Sequence, residues 1–353
     1  MDISLLKQLS EARGVSGSED DVRDILARAV RPKADSLTTD TIGNLIACKK
    51  GNGGSDLRVM LAAHMDEVGL MVMGAESTGY LRFRPVGGID PRVLPAKRVL
   101  VGKDKVPGII GVKPVHLTEA AERKNVIKVD QLYIDIGAKN KNEALGAAPI
   151  GCFASFDTPF SFLGDADGAS PAGRIAGKAL DDRAGCLAVA AALDRQYPFD
   201  LYAVFTVQEE VGLRGAKVAA YALKPDLAIA VEGTVCDDSP REEDVSPTTR
   251  LGMGPAISIA DASMIADRRL VDLLIGAAEA EGIPYQVKQP MVGGTDAGAI
   301  TLARDGIPVV AVATPCRYIH SPESVLDLAD LHNLSRLIDA SLTRLPQVWS
   351  RTR

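Results

Sequence analysis

Residues 201–233 read LYAVFTVQEEVGLRGAKVAAYALKPDLAIAVEG. Leu201 to Val207 is an apolar run of strand length, Gly215 to Ala222 carries apolar residues at helical spacing, and Leu227 to Val231 is a second strand. Alternation of strand and helix predicts an α/β sheet whose strands are mainly parallel. Both strands run into acidic residues: Gln208-Glu209-Glu210 after the first and Glu232 after the second.

The same reading extends outward. Upstream, Arg183 to Asp194 predicts a helix, and Leu57 to Ala63 predicts a strand apolar enough to be central, ending at His64. A Gly51 to Gly54 turn separates it from a strand over Leu45 to Cys48, and two helices within Ser4 to Val30 open the chain. Downstream, Arg268 to Glu281 predicts a helix, Val309 to Ala313 a strand, and Ser324 to Arg344 a closing helical region. Between Val68 and Ala172 the pattern changes to short β-like runs, such as Leu70 to Met73, Tyr80 to Phe83 and Gln131 to Ile136, broken by glycine and proline. The expectation is therefore a helix-flanked, mainly parallel sheet from residues 1–67 and 173–353, interrupted by a β-rich insert at 68–172.

At 353 residues, with 46% hydrophobic and 24% charged residues, the composition is that of a globular protein with a sizeable core. A net charge of -6 argues against nucleic acid or an anionic membrane as partner. No stretch approaches the roughly 18 to 20 apolar residues a membrane helix needs. Met1 to Arg13 has no basic region followed by an apolar run, so a cytoplasmic location is expected. Cys48, Cys152, Cys186, Cys236 and Cys316 are scattered, which fits reduced thiols.

Chemistry gathers at strand ends. In His64-Met65-Asp66 the imidazole can bind a metal while the carboxylate orients its other nitrogen. Leu180-Asp181-Asp182-Arg183 places two carboxylates at a helix start, where they either cap the helix or bridge two cations. Glu209 and Glu210 repel one another after a buried strand unless solvated or near positive charge, which a metal supplies. Glu232 ends a further strand, and His320 lies in Arg317-Tyr318-Ile319-His320-Ser321. Singly, each has an ordinary surface explanation. Ligands of open α/β sheets bind outside the carboxyl ends of strands, so five such positions together point to one site.

These motifs, with Gly293-Gly294-Thr295-Asp296-Ala297, stand in an order that resembles the tetrahedral, glutamyl-aminopeptidase-like dinuclear metallopeptidases over nearly the whole chain. The resemblance implies His64 and Glu232 on one metal, Glu210 and His320 on the other, Asp181 bridging both, and Glu209 as general base. Asp66 is expected to orient His64. Where the family often reads Asp-Asn-Arg this chain has Asp181-Asp182-Arg183, so the ligand falls at the first position, and where the family commonly has aspartate it has the longer Glu232. Thr295 and Asp296 are either substrate contacts or simply a turn and helix cap. Two divalent ions per subunit are implied, zinc foremost, with cobalt or manganese compatible. The insert is expected to be PDZ-like and to join a homo-oligomer, a tetrahedral dodecamer enclosing the sites. The implied activity is metal-dependent release of N-terminal residues from peptides. The alternatives are a related two-metal amidohydrolase, such as a deacetylase or dipeptidase, and a non-catalytic scaffold.

Overall fold

A computed structural model gives the structure of the chain, described for residues 1–120, 122–164, 172–239, 248–288 and 293–349. Helices α1 (Ile3–Glu11) and α2 (Asp20–Val30) precede strands β1 (Ser36–Thr39), β2 (Leu45–Lys49) and β3 (Arg58–His64). Six strands follow: β4 (Gly69–Ala75), β5 (Leu81–Val86), β6 (Arg98–Val101), β7 (Val106–Gly111), β8 (Tyr133–Asp135) and β9 (Phe153–Phe156), with α3 (Lys141–Ala147) before the last. Next come β10 (Ser161–Leu163), β11 (Arg174–Gly177), α4 (Leu180–Ala192), β12 (Asp200–Thr206), α5 (Arg214–Leu223) and β13 (Leu227–Val235). The remainder is β14 (Ala256–Ser258), α6 (Arg268–Glu281), β15 (Gln286–Val287), α7 (Asp296–Thr301), β16 (Val309–Arg317), β17 (Ser324–Asp327) and α8 (Leu328–Val348).

One sheet runs β1-β2-β12-β3-β13-β16-β17-β11-β10, with β14 and β15 attached through β16. Its centre, β12-β3-β13-β16, is parallel. The wings pair antiparallel, so the sheet is mixed rather than mainly parallel, which corrects the expectation. The reason is local. Short links such as that between β1 and β2, where Asp40 Oδ1 accepts the amides of Ile42, Gly43 and Asn44, make hairpins, and a hairpin joins only antiparallel strands.

Two further expectations change. Ser324 to Asp327 is a strand rather than the start of the closing helix, and Asp327 caps α8 by accepting the Ala329 amide at 2.9 Å. Strands β4-β5-β8-β7-β6-β9 close into a barrel spanning Gly69 to Phe156, whereas β10 and β11 pair into the large sheet. The large sheet thus resumes before residue 172, and residues 165–171 of the expected insert lie outside the described ones.

Strand β3 has no solvent face. Val59, Leu61 and Ala63 pack with the helices of one side, including Leu6, Leu26 and Leu187, while Met60 and Ala62 pack against Ala216, Ala220 and Ala297 of α5 and α7. Burial on both faces explains why its sequence is continuously apolar. Each fully buried leucine contributes roughly 1.5–3 kcal/mol, so the strand end that carries His64 is rigidly held. The barrel has its own interior of Leu70, Val72, Leu81, Phe83 and Ile134. All five cysteines are free thiols.

Candidate metal centre

His64 is the last residue of β3, Glu209 and Glu210 follow β12, Glu232 lies near the end of β13, and His320 follows β16. The register Thr206 to His64 and Ala230 to Ala62 sets these strand ends level. Asp181 comes from the β11–α4 junction, where Asp181 and Asp182 are joined by a cis peptide bond and neither has helical backbone angles. The five residues named as ligands meet in one place.

Asp181 lies between the two histidines. Its Oδ1 is 3.4 Å from His64 Nε2 and its Oδ2 is 3.9 Å from His320 Nε2. Glu232 Oε2 is 3.7 Å from His64 Nε2, and Glu210 Oε2 is 3.2 Å from His320 Nε2. Tetrahedral bonds of about 2.0–2.1 Å put donor atoms about 3.4 Å apart. The donor set therefore fits divalent cations in spacing as well as in chemistry.

Asp182 also lies within reach of His64 and Glu232. Its oxygens, however, accept the backbone amides of His64 and Gly185, at 3.1 Å each. Glu232 is steadied by the Asp296 amide, 3.1 Å from its Oε1. Asp66 does more than face an imidazole. Its carbonyl oxygen is 3.1 Å from His64 Nδ1, while its carboxylate accepts the amides of Glu209 (2.9 Å) and Glu210 (3.1 Å) and the Ser16 hydroxyl (2.6 Å). One buried side chain thus fixes two strand ends.

Thr295 and Asp296 turn inward. The Thr295 hydroxyl donates to Asp261, and buried Asp296 accepts from the Thr206 hydroxyl at 2.5 Å. Their side chains are buried on Asp261 and Thr206, and it is the Asp296 backbone amide that reaches Glu232. Backbone strain also gathers here: Ala179, Gln208, Tyr318 and His320, all next to or among the named residues, have positive φ without being glycine. Such conformations persist where the surroundings overdetermine them.

The electrostatics describe a site crowded with buried carboxylates that nearby positive charge would stabilise. Burial, then repulsion from Asp181, pushes Glu210 up to about 8. Burial likewise raises Glu209 and Glu232 well above the carboxylate range, and Asp296 to about 6. Burial opposes a charge on His64, yet Asp181 and Asp66 outweigh it and hold the imidazole pKa well above its ordinary value. For Asp181, too, burial is opposed and outweighed, by contact with His64 and the charge of both histidines, and its pKa falls. Carboxylates packed this closely stay ionised together only beside cations.

Sequence reasoning missed Ser16, and it missed the buried ion cluster of Glu67, Lys178 and Arg183 behind the site. Glu67 directly follows one quoted motif and Arg183 ends another, but their pairing spans more than a hundred positions and has no local signal.

A family model described as M42 glutamyl aminopeptidase matches residues 43–337. A putative aminopeptidase of Acetivibrio thermocellus is 39% identical over 95% of this chain and 96% of its own length. The aminopeptidase APDkam598 of the archaeon Desulfurococcus kamchatkensis superposes with a TM-score of 0.91 at 37% identity, covering 99% of this chain and 98% of that one. The Pyrococcus horikoshii TET1 peptidase, solved as able to assemble into a tetrahedron or a large octahedral shell, superposes with a TM-score of 0.83 at 38% identity, covering 96% of this chain and 98% of that one. On this agreement of motif, fold and donor geometry, the chain belongs to the M42 glutamyl aminopeptidase family.

Proposed function

We propose that this metal-dependent aminopeptidase works on the N-terminal bond of peptides with two divalent cations, one held by His64, Glu232 and Asp181 and the other by His320, Glu210 and Asp181. The observation that carries this reading is the division of Asp181, one oxygen toward each imidazole. Nitrogen and carboxylate donors suit zinc, cobalt or manganese. When bound, such cations polarise a scissile carbonyl and make water a better acid.

The chain's own residues supply the rest. Glu209, whose proton affinity burial raises, takes a proton from water at its carboxylate and returns it to the departing amine. Asp66 keeps that carboxylate at the site by holding its backbone amide. Asp296 and Gly233 position the ligands: the Gly233 amide is 3.2 Å from Asp181 Oδ1.

The barrel, read as a PDZ-like assembly unit, exposes Ile109, Val115, Leu117 and Val126. Exposed apolar residues on a unit that holds none of the ligands suit contacts between copies. With the assembling Pyrococcus horikoshii relative, they support a homo-oligomer, here a tetrahedral dodecamer. No helix among the described residues is long and apolar enough to cross a membrane.

The test is release of chromophore from a panel of aminoacyl substrates by metal-stripped and metal-restored protein. Loss on stripping and recovery with zinc, cobalt or manganese is expected. Turnover that survives complete stripping would end the two-cation reading.

A further inference from the structure

Behind the metal centre lies a buried ion cluster that the reaction itself does not use. Glu67 follows directly on His64-Met65-Asp66, and Lys178 and Arg183 bracket Asp181-Asp182. All three are buried, Arg183 completely. Lys178 Nζ donates to both Glu67 oxygens, at 2.7 and 2.8 Å, and to the carbonyl of Ala12 at 2.5 Å. Arg183 Nη2 is 3.6 Å from Glu67 Oε1, and its Nη1 donates to the Leu9 carbonyl at 2.5 Å. The last turn of α1 thus offers its free carbonyls to two cations, the favourable sign for a helix C-terminus.

The N-terminal segment completes the clamp. The Gly14 amide donates to Glu67 Oε1 at 2.9 Å, and Val15 and Glu67 form a parallel bridge. A Cβ on Gly14 would lie 2.5 Å from Arg183 Nη2, so the segment approaches as closely as it does only because residue 14 is glycine. Buried ion clusters of this kind are poor sources of net stability, since desolvation consumes most of the attraction. Their place between two ligand-bearing segments gives this one a use.

Charge sharpens the argument. Glu67 lines the same cleft as Asp181, Glu210 and His320, and its negative charge is felt at Glu210. Without a cation on its far side, Glu67 would be one more carboxylate repelling the ligands.

We propose that Lys178 and Arg183 are positioning residues of the metal centre: through Glu67 they lock the His64 loop to the Asp181 junction at ligand spacing and cancel the charge of Glu67. The proposal rests on the two-cation reading. Outer partners of metal ligands typically govern affinity by about 10- to 100-fold.

The experiment uses the full-length protein and its Lys178→Met, Lys178→Arg and Lys178→Met/Glu67→Gln variants. Each is stripped and titrated with cobalt, followed by calorimetry and by the visible spectrum of the bound ion, with circular dichroism as the check on folding. Lys178→Met is expected to bind cobalt at least about tenfold more weakly, with an altered spectrum and a fall in kcat at nearly constant KM. Lys178→Arg is expected to restore most of the affinity, and the double variant to recover part of it because the charges again balance. A folded Lys178→Met protein with wild-type affinity and spectrum would overturn the proposal. Should Lys178→Met fail to fold, the other two decide: Lys178→Arg near wild-type affinity beside a folded double variant that binds cobalt measurably more weakly supports the proposal, whereas a folded double variant with wild-type affinity and spectrum overturns it, because it lacks the Lys178–Glu67 lock. Wild-type protein that takes up no cobalt at all would remove the site itself, an outcome separable from failure of the clamp.

Discussion

The two halves of the proposed metal centre meet at Asp181 and differ in depth. The His64 half is sealed, with the imidazole only 2% exposed and Glu232 similarly enclosed, whereas His320 is 43% exposed at the cleft mouth. His64 ends a strand buried on both faces, and the Asp66 carbonyl faces its second nitrogen. His320 sits on a short loop after β16, with a strained backbone. A ligand fixed by the core holds its position before metal arrives, while one on a loop can move to meet it. On the two-cation proposal, the difference predicts unequal positions: the inner one holding its ion tightly, the outer one exchanging it.

The comparison breaks most visibly with His64→Ala. Losing the inner imidazole is expected to abolish turnover and to cost metal at both positions, because Asp181 loses the partner that places it. His320→Ala is the counterpart, losing activity at limiting metal and regaining part of it as the concentration rises. Metal content by elemental analysis, beside rates across a metal titration, checks both. Equal losses from the two variants would erase the distinction between the halves.

Glu209→Gln serves as the control common to both halves. It is expected to lower kcat by about 10²- to 10⁴-fold, the usual worth of a general base, with both cations retained. A smaller effect follows from Gly233→Ala, whose new Cβ would lie 2.6 Å from Asp181 Oδ1 and must push that carboxylate aside. Weakening of metal affinity by about tenfold is expected, read by calorimetry.

The smallest effect is on stability and belongs to the outer half. In metal-free protein the Glu210 carboxyl, raised to about 8 from 4.5 first by burial and then by Asp181, holds its proton where the unfolded chain has released it. A folded pKa above the unfolded one gives stabilisation that is complete below pH 4.5 and is lost as pH rises through about 8. The Tm of stripped protein should therefore drop by a few degrees across that window, and drop less in Glu210→Gln. Scanning calorimetry in chelator at several pH values tests this, and an identical decline in the variant would assign the effect elsewhere.

Much of the site was legible because its residues stand where apolar runs stop. His64, Glu209 and Glu232 each interrupt or end a strand whose length and composition are plain in the sequence. The Asp181-Asp182 pair and His320 stood out less, since neither follows a pattern that separates ligand from cap or turn, and the choice of Asp181 over Asp182 came only with the family resemblance. The sheet's parallel centre was readable from strand and helix alternation, but its antiparallel wings were not. β1, β10, β11 and β17 are three or four residues long, too short to show a period. The inward turn of Thr295 and Asp296 depends on Asp261 and Thr206, partners 34 and 90 positions away, which no local window contains.

The dispersal of the donors has a consequence for how the enzyme comes into being. A polypeptide emerging from the ribosome exposes His64 early, yet the parallel strands that align Glu210 and Glu232 must be complete before His320 can close the outer position. Until that last loop appears, the proposed outer position has Glu210 and Asp181 but no imidazole. On that proposal, a complete donor set exists only once the strands on both sides of Asp181 and the loop after β16 have been laid down.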